Sequence, residues 1–396
     1  MRVGGPAERM LVARSRDELV SFAAELWEGD EPWLLLGGGS NTVMHDNGFP
    51  GTLLLVRSTG IELVADAQQP VGRLRLRVQA GHDWDALVAE CVERGWSGIE
   101  ALSGIPGLAG AAPVQNIGAY GQELADVLHS IEFFDRESGE VLRLAADELE
   151  LGYRDSVMKR GREGVVLSID LLLSMAVPPG MAAPADAPAD ASAPAGRHAA
   201  PAAPVAPEAD ALSEPVRYAQ LAGALGVELG ARVPVRELRE AVLRLRASKG
   251  MVLDAADHDT WSAGSFFTNP IVSERFARTL PEDAPRFPVG DVEPAPAITT
   301  LEELAAGVPM RLPQPAPERR VKLSAAWLIE HSGVPRGFRL PGSDAAISSK
   351  HTLAITNRGG ATAAQVAELA RFVVQRVQQE FGVILAPEPN LYGLEL

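Results

Sequence analysis

Apolar and polar positions alternate in Leu74-Arg75-Leu76-Arg77-Val78, the period of a strand with one face buried. Largely apolar, strand-like runs at Trp33–Leu36, Gly51–Val56 and Val165–Leu173 predict further strands, the last one long. Helical spacing appears elsewhere. Trp84, Leu87, Val88 and Cys91 share one face, so Cys91 is predicted to be a small core residue. Pro234 opens a helix whose stripe is Val235, Leu238, Val242 and Leu245; its arginines read as a solvated face. A last long helix runs from an N-cap at Thr362 to Gly382, with Val366, Leu369, Val373 and Val377 inward, and Gly382–Leu385 reads as a short strand after it. The texture is α+β, without the regular strand–helix–strand rhythm of a doubly wound sheet.

Residues 176–214 break the pattern. Alanine and proline dominate there and aromatics are absent, so the segment cannot offset its ordering entropy and is predicted to be a disordered or polyproline-like linker. A second Pro-rich stretch, 280–318, reads as a surface loop. A chain of 396 residues has room for two or three domains. Its net charge of −16 argues against nucleic acid or an anionic membrane surface as partner. An anionic ligand then needs a local cationic site. One cysteine excludes an internal disulfide, and no histidine pairs at metal-ligand spacing, so no metal is expected. No apolar leader or membrane-length run is visible, which predicts a cytoplasmic protein.

The chemistry concentrates in a few stretches. Residues 99–121 read IEALSGIPGLAGAAPVQNIGAYG, where glycines let the backbone approach a flat polyanion and the polar side chains Ser103, Gln115, Asn116 and Tyr120 carry no charge. Gly37-Gly38-Gly39-Ser40-Asn41 is a second glycine loop, between two strands rather than before a helix, unlike a Rossmann fingerprint. Two such loops suit an extended dinucleotide cofactor. Arg154 beside Asp155 reads either as a surface ion pair or as a fixed cation for a carboxylate. Ser265, before Phe266 and Phe267, reads as a structural serine or as a proton donor to a strongly basic carbon; no triad or nucleophile elbow surrounds it. Glu388 is held between Pro387 and Pro389, and His351 reads as structural.

Taken in order, LLLGGGSNTV, GIEALSGIPGLAGAAPVQNIGAYGQEL, YRDSV, AGSFFTNP, VKLSAAWLIE and PEPNLYG resemble one family, the flavin-dependent UDP-N-acetylenolpyruvoylglucosamine reductases of bacterial peptidoglycan synthesis. The resemblance implies an α+β fold: a two-part FAD-binding domain of the vanillyl-alcohol-oxidase type (1–65 with the tail 385–396, and 66–175), the 176–214 linker, and a substrate domain at 215–384. It implies non-covalent FAD against Gly37, Gly38, Gly39, Ser40, Asn41, Ser103, Gly104, Ile105, Pro106, Gly107, Ala111, Gln115, Asn116, Gly118, Tyr120 and Gly121. NADPH would be the electron donor, a UDP-sugar the substrate, and the protein a monomer. Ser265 aligns with the proton donor, and Arg154 and Glu388 with the pair that steadies the enolic carboxylate. Tyr218, Lys249, Asn269 and Lys322 align with substrate contacts, Tyr218 marking the tyrosine-bearing branch. That branch carries an aromatic before its VKL segment, where this chain reads MRLPQPAPERRVKL. Two other readings stand beside it: a flavin oxidase of related fold, tethered through His45, and a non-enzymatic scaffold with a proline-rich docking segment.

Overall fold

Three parallel strands form the first layer of the molecule. In the computed structural model, which describes residues 1–65, 70, 72–175, 211–289 and 319–396, Phe49–Val56 lies centrally between Ala7–Ala13 and Trp33–Leu36. Parallel pairing requires a crossover, and helix Arg16–Glu28 supplies it. Ser15 caps that helix by accepting from the Glu18 amide, and Leu19, Ala23 and Leu26 form its buried face. All three strands end on the same edge, where Leu36 runs into the Gly37–Asn41 loop. Ligands of such sheets collect beyond the carboxyl ends of the strands.

The second layer is antiparallel, in the order Val141–Ala145, Leu128–Asp135, Gly164–Met175, Arg73–Gln79, Ile61–Val64. Period-two alternation is realised in full: Leu74, Leu76 and Val78 are buried, while Arg75 and Arg77 emerge on the other face. There they meet the fully buried Asp170, with Arg75 at 2.7 Å, Arg77 at 2.9 Å and Arg143 at 3.0 Å. Burial alone would raise the Asp170 carboxyl, but hydrogen bonds from Arg77 and Arg75 outweigh it and hold it below the usual aspartate range. Helix Trp84–Glu93 covers the apolar face through Trp84, Leu87, Val88 and Cys91, as its spacing predicts, each such burial contributing about 2 kcal/mol. Desolvation pushes the Cys91 thiol up and leaves it unreactive.

Helix Ala363–Phe381 anchors the third body. Thr362 and Gln365 form a capping box, and Asp46, from the first layer, accepts from the amides of Ala363 (2.7 Å) and Ala364 (2.9 Å). Val366, Leu369, Val373 and Val377 are fully buried against Leu323, Leu328, Ile347 and Ile355. Helices Ala219–Leu225 and Val235–Ser248 pack instead on Ala101, beside the second layer.

Several expectations need correction. Gly382–Leu385 forms no strand: Gly382 is a left-handed cap at φ 68°, and no neighbouring strand lies beside the segment among the described residues. The terminal strand is Asn390–Tyr392, parallel to Thr42–Met44. Within the Pro-rich stretch, Arg286–Val289 is a strand on the edge of a three-stranded sheet, where Pro288 costs no ladder bond; 290–318 lies outside the described residues. The linker from 176 to 210 also lies outside them. Residues 211–214 are packed, with the Ser213 amide on the Val233 carbonyl (2.8 Å) and the Glu214 amide on Glu100 (2.9 Å). The arginines of 235–248 are not all solvated, since Arg239 grips Asp85 at 2.6 Å and the Nε of Arg246 is buried. Among the described residues no helix is long and apolar enough to cross a membrane, and no three metal-ligating side chains cluster.

Candidate active site

The two glycine loops face each other. A Cβ on Gly38 would sit 3.4 Å from the Gly107 Cα, and one on Gly107 would sit 3.1 Å from the Ser40 hydroxyl. Ser40 Oγ donates to the Pro106 carbonyl (3.1 Å), tying the loops together. Among the described residues the amides of Gly38, Gly39, Ser40 and Gly107 donate to no protein group. Gly39, at φ 66°, has open space where a side chain would stand. This is the backbone of an anion cradle: free N–H groups, a left-handed glycine and no Cβ in the way.

Other residues of the 99–121 stretch are used differently. Ser103 is fully buried and donates to the Glu100 carbonyl (2.6 Å). Asn116 is buried at φ 43°, donates to Glu123 and the Gly152 carbonyl, and accepts from the Ala125 amide, so its side chain is spent on the loop itself. Gly104 gives its amide to Asp85 (2.6 Å), Ile105 packs against the core, and Pro106 and Ala111 are exposed. Gly118 offers its carbonyl to Arg154, and Gly121 turns at φ 86° against Arg217.

Three segments meet at Glu388. Its amide donates to the Phe266 carbonyl (2.9 Å), and Phe267 bridges Pro387, so the backbone of Glu388 lies beside the residue that follows Ser265. Asn41 donates to the Glu388 carbonyl (3.2 Å) and to Gln115 (3.3 Å), and Gln115 reaches the carboxylate at 3.5 Å. Arg154 pairs with Glu388 Oε1 at 3.3 Å while its other nitrogens donate to the carbonyls of Asn116 (3.2 Å) and Gly118 (2.8 Å). Arg154 holds this pose at φ 55°, a left-handed conformation that costs a residue with a side chain about 1 kcal/mol. Desolvation raises the Glu388 carboxyl above its ordinary value, and the charge of Arg154 works against the rise. Ser265 is half-buried; the Phe266 amide on the Leu353 carbonyl (2.7 Å) holds the segment that follows it.

The substrate-contact candidates fall on either side. Asn269 donates to the Tyr153 hydroxyl (3.3 Å) and accepts from the Ala325 amide (3.0 Å), and Lys322 Nζ stands 4.5 Å over the Tyr153 ring. Lys249 donates to Gln220 (2.7 Å) and lies 5.4 Å over Tyr120, which meets Tyr218 edge-on at 5.6 Å. Burial pushes the His351 imidazole down to about 4, helped by Lys249 and Arg336, so it is neutral at pH 7 and holds no imidazolium proton to give. His45 sits across the Thr42–Met44 strand from the glycine loop, in a separate cavity of about 600 Å³ with Arg371 and Gly393. Sequence reasoning missed two groups. Both ring nitrogens of His82 are buried without a partner among the described residues, at the turn whose carbonyl receives the Ala109 amide. Arg246 Nε is likewise buried and unpartnered among them. A histidine next to Gly81 and an arginine three before Lys249 carry no spacing signal.

Free amides on two facing glycine loops, with an ion pair tied to Asn41 through the Glu388 carbonyl, are features that a dinucleotide-binding oxidoreductase would use. The family model described as "FAD binding domain" matches residues 7–145, and "UDP-N-acetylenolpyruvoylglucosamine reductase, C-terminal domain" matches 256–392. The chain is 57% identical to the UDP-N-acetylenolpyruvoylglucosamine reductase of Leifsonia xyli, covering all of this chain and 97% of that protein. It is 44% identical to the one of Saccharopolyspora erythraea, covering 100% and 93%. The crystal structure of the Thermus caldophilus reductase shares the fold, at a TM-score of 0.54 and 24% identity over 98% of this chain and 94% of that one. The chain therefore belongs to the UDP-N-acetylenolpyruvoylglucosamine reductase family, flavoprotein oxidoreductases of peptidoglycan precursor synthesis.

Proposed function

We propose that the chain, a cytoplasmic monomer, uses NADPH to reduce the enolpyruvyl double bond of UDP-N-acetylglucosamine enolpyruvate, giving UDP-N-acetylmuramate. The free amides of Gly38, Gly39, Ser40 and Gly107 would hold the FAD pyrophosphate, and the cradle leaves no Cβ to exclude it. When bound, FAD supplies the hydride relay from NADPH to the methylene carbon of the substrate. The work of the protein is to steady the charge that this transfer creates. Negative charge builds on the adjacent carbon and spreads into the substrate carboxylate, and Arg154, already aimed by two carbonyls, offsets it. Glu388, which burial raises above its ordinary carboxyl value, would stand beside the same carboxylate. The Ser265 O–H bond breaks as its proton joins the carbon lone pair, and the alkoxide recovers a proton from water. With His351 neutral, no imidazolium competes for that step. Lys249 and Lys322 would supply the local cations that an acidic chain needs for a diphosphate, with Asn269 and Tyr218 beside them.

The observation that carries this reading is the Arg154–Glu388 pair at 3.3 Å, with the Glu388 amide on the carbonyl of Phe266, next to Ser265. Residues far apart in sequence converge there with the chemistry the reaction needs. NADPH oxidation followed at the nicotinamide band, with and without the enolpyruvyl sugar nucleotide, tests it. Oxidation that does not respond to the sugar nucleotide would overturn it.

A further inference from the structure

Ser265 is aimed by its backbone alone. Among the described residues neither its hydroxyl nor its amide bonds to a protein group. The chain on either side is tied down. The Asn357 amide donates to the Trp261 carbonyl (3.1 Å), Ser262 bridges Thr356 in antiparallel register, and the Phe266 amide donates to the Leu353 carbonyl (2.7 Å). Phe266 and Phe267 are buried just beyond, edge-on at 5.2 Å.

Between those ties Ala263, Gly264 and Ser265 face only Ala354 and Ile355, three residues against two. One residue too many on one side makes a bulge, the device by which paired backbones re-aim a side chain. Gly264 takes the turn at φ 75°, with open space where a Cβ would stand. The Ser262 hydroxyl oxygen accepts from the Gly264 amide (3.2 Å). Among the described residues no other side chain bonds to the bulge.

We propose that Ser262 is a positioning residue, its hydroxyl oxygen holding the Gly264 amide so that the bulge presents Ser265 Oγ to the carbon that takes the proton. This rests on the proposed function, which makes Ser265 the donor. Without that acceptor the glycine is free to turn, and a hydroxyl with no other anchor turns with it. A displacement of about 1 Å in a reacting group can cost about 10²-fold in rate.

Stopped-flow spectroscopy of the FAD-loaded enzyme tests the proposal. In Ser262→Ala, flavin reduction by NADPH should stay within about twofold of wild type. The concentration of UDP-N-acetylglucosamine enolpyruvate that half-saturates reoxidation should stay within about threefold. The limiting reoxidation rate should fall at least about tenfold, and its solvent deuterium effect should grow, since proton delivery has become the slow event. Ser262→Thr keeps the acceptor oxygen and should restore the rate to within about threefold. In a Ser265→Ala background, adding Ser262→Ala should change reoxidation by less than about twofold, because the residue it positions is gone. A limiting rate near wild type in Ser262→Ala, or the full loss persisting in the Ser265→Ala background, overturns the proposal. Should the alanine variant fail to fold, Ser262→Val against Ser262→Thr decides, the same shape without and with the oxygen; equal rates overturn it. Reduced wild-type flavin that the sugar nucleotide does not reoxidise would instead sink the functional reading, and the proposal with it.

Discussion

Replacing Arg154 by methionine removes the guanidinium while keeping the stem and the left-handed backbone, so strain at φ 55° is the same in both proteins. The magnitude comes from the geometry. A guanidinium about 4 Å from a developing carboxylate charge, at an effective dielectric of about 20, gains about 4 kcal/mol. Water reaches the Arg154 side chain, which is 20% exposed, so the share available to the transition state is smaller, about 3 kcal/mol. That corresponds to a loss of roughly 10²-fold or more in the step where the substrate is reduced. Stopped-flow spectroscopy separates the two halves of the reaction. Bleaching of the flavin by NADPH should change by less than about threefold, since Arg154 serves the substrate carboxylate. Reoxidation by the sugar nucleotide should slow by the full amount. Arg154→Lys should recover part of it, because an ammonium restores charge but cannot span the Asn116 and Gly118 carbonyls together. A loss below about tenfold in reoxidation, or equal losses in both halves, would refute the electrostatic role.

Ser265→Ala should leave flavin reduction by NADPH intact while product formation falls about 10²-fold or more, read in the same instrument with product quantified by chromatography. Asp170→Asn should destabilise the second sheet by about 3 kcal/mol at about pH 7 in urea unfolding, because three arginines lose their carboxylate. The sign with pH is fixed: Asp170 titrates lower in the folded state, so its stabilisation is present above the ordinary aspartate value and drains away as pH falls through and below it. The gap between variant and wild type should therefore narrow at about pH 3. Gly48→Ala places a Cβ 1.7 Å from the Pro6 carbonyl at φ 86°, so it should cost at least about 2 kcal/mol and lower the melting temperature.

Local order was legible wherever one residue's neighbours in sequence decide its environment. Leu74, Leu76 and Val78 alternate because they sit on a pleat with one dry face, and Thr362 and Gly382 bound their helix through caps that act within a turn. Partners distant in sequence were not legible. Gly382–Leu385 alternates correctly, with Val383 and Leu385 buried and Ile384 exposed, yet has no neighbouring strand to bond among the described residues, whereas Asn390–Tyr392 finds one at Thr42–Met44. Motif resemblance singled out Arg154, Ser265 and Glu388, and the structure brings Arg154 and Glu388 into contact, with the Glu388 amide bonded to the residue after Ser265. Asn116 looked available for a ligand because its amide is polar, but the loop consumes the bonds it makes. Arg246 passed for a solvated arginine because helical periodicity cannot show that Gly104 packs over it.

The segment bearing Glu388 is threaded through both halves of the molecule: its amide is bonded to the Phe266 carbonyl, the Ala386 carbonyl to the Thr268 amide, and its own carbonyl to Asn41. A ribosome makes this segment after every partner it touches. A nascent chain can thus shape its phosphate cradle while still lacking the acid that finishes the site. On the proposed role of Glu388, chemistry would wait for the late-made tail to dock, and a protein clipped there would stay coloured but idle.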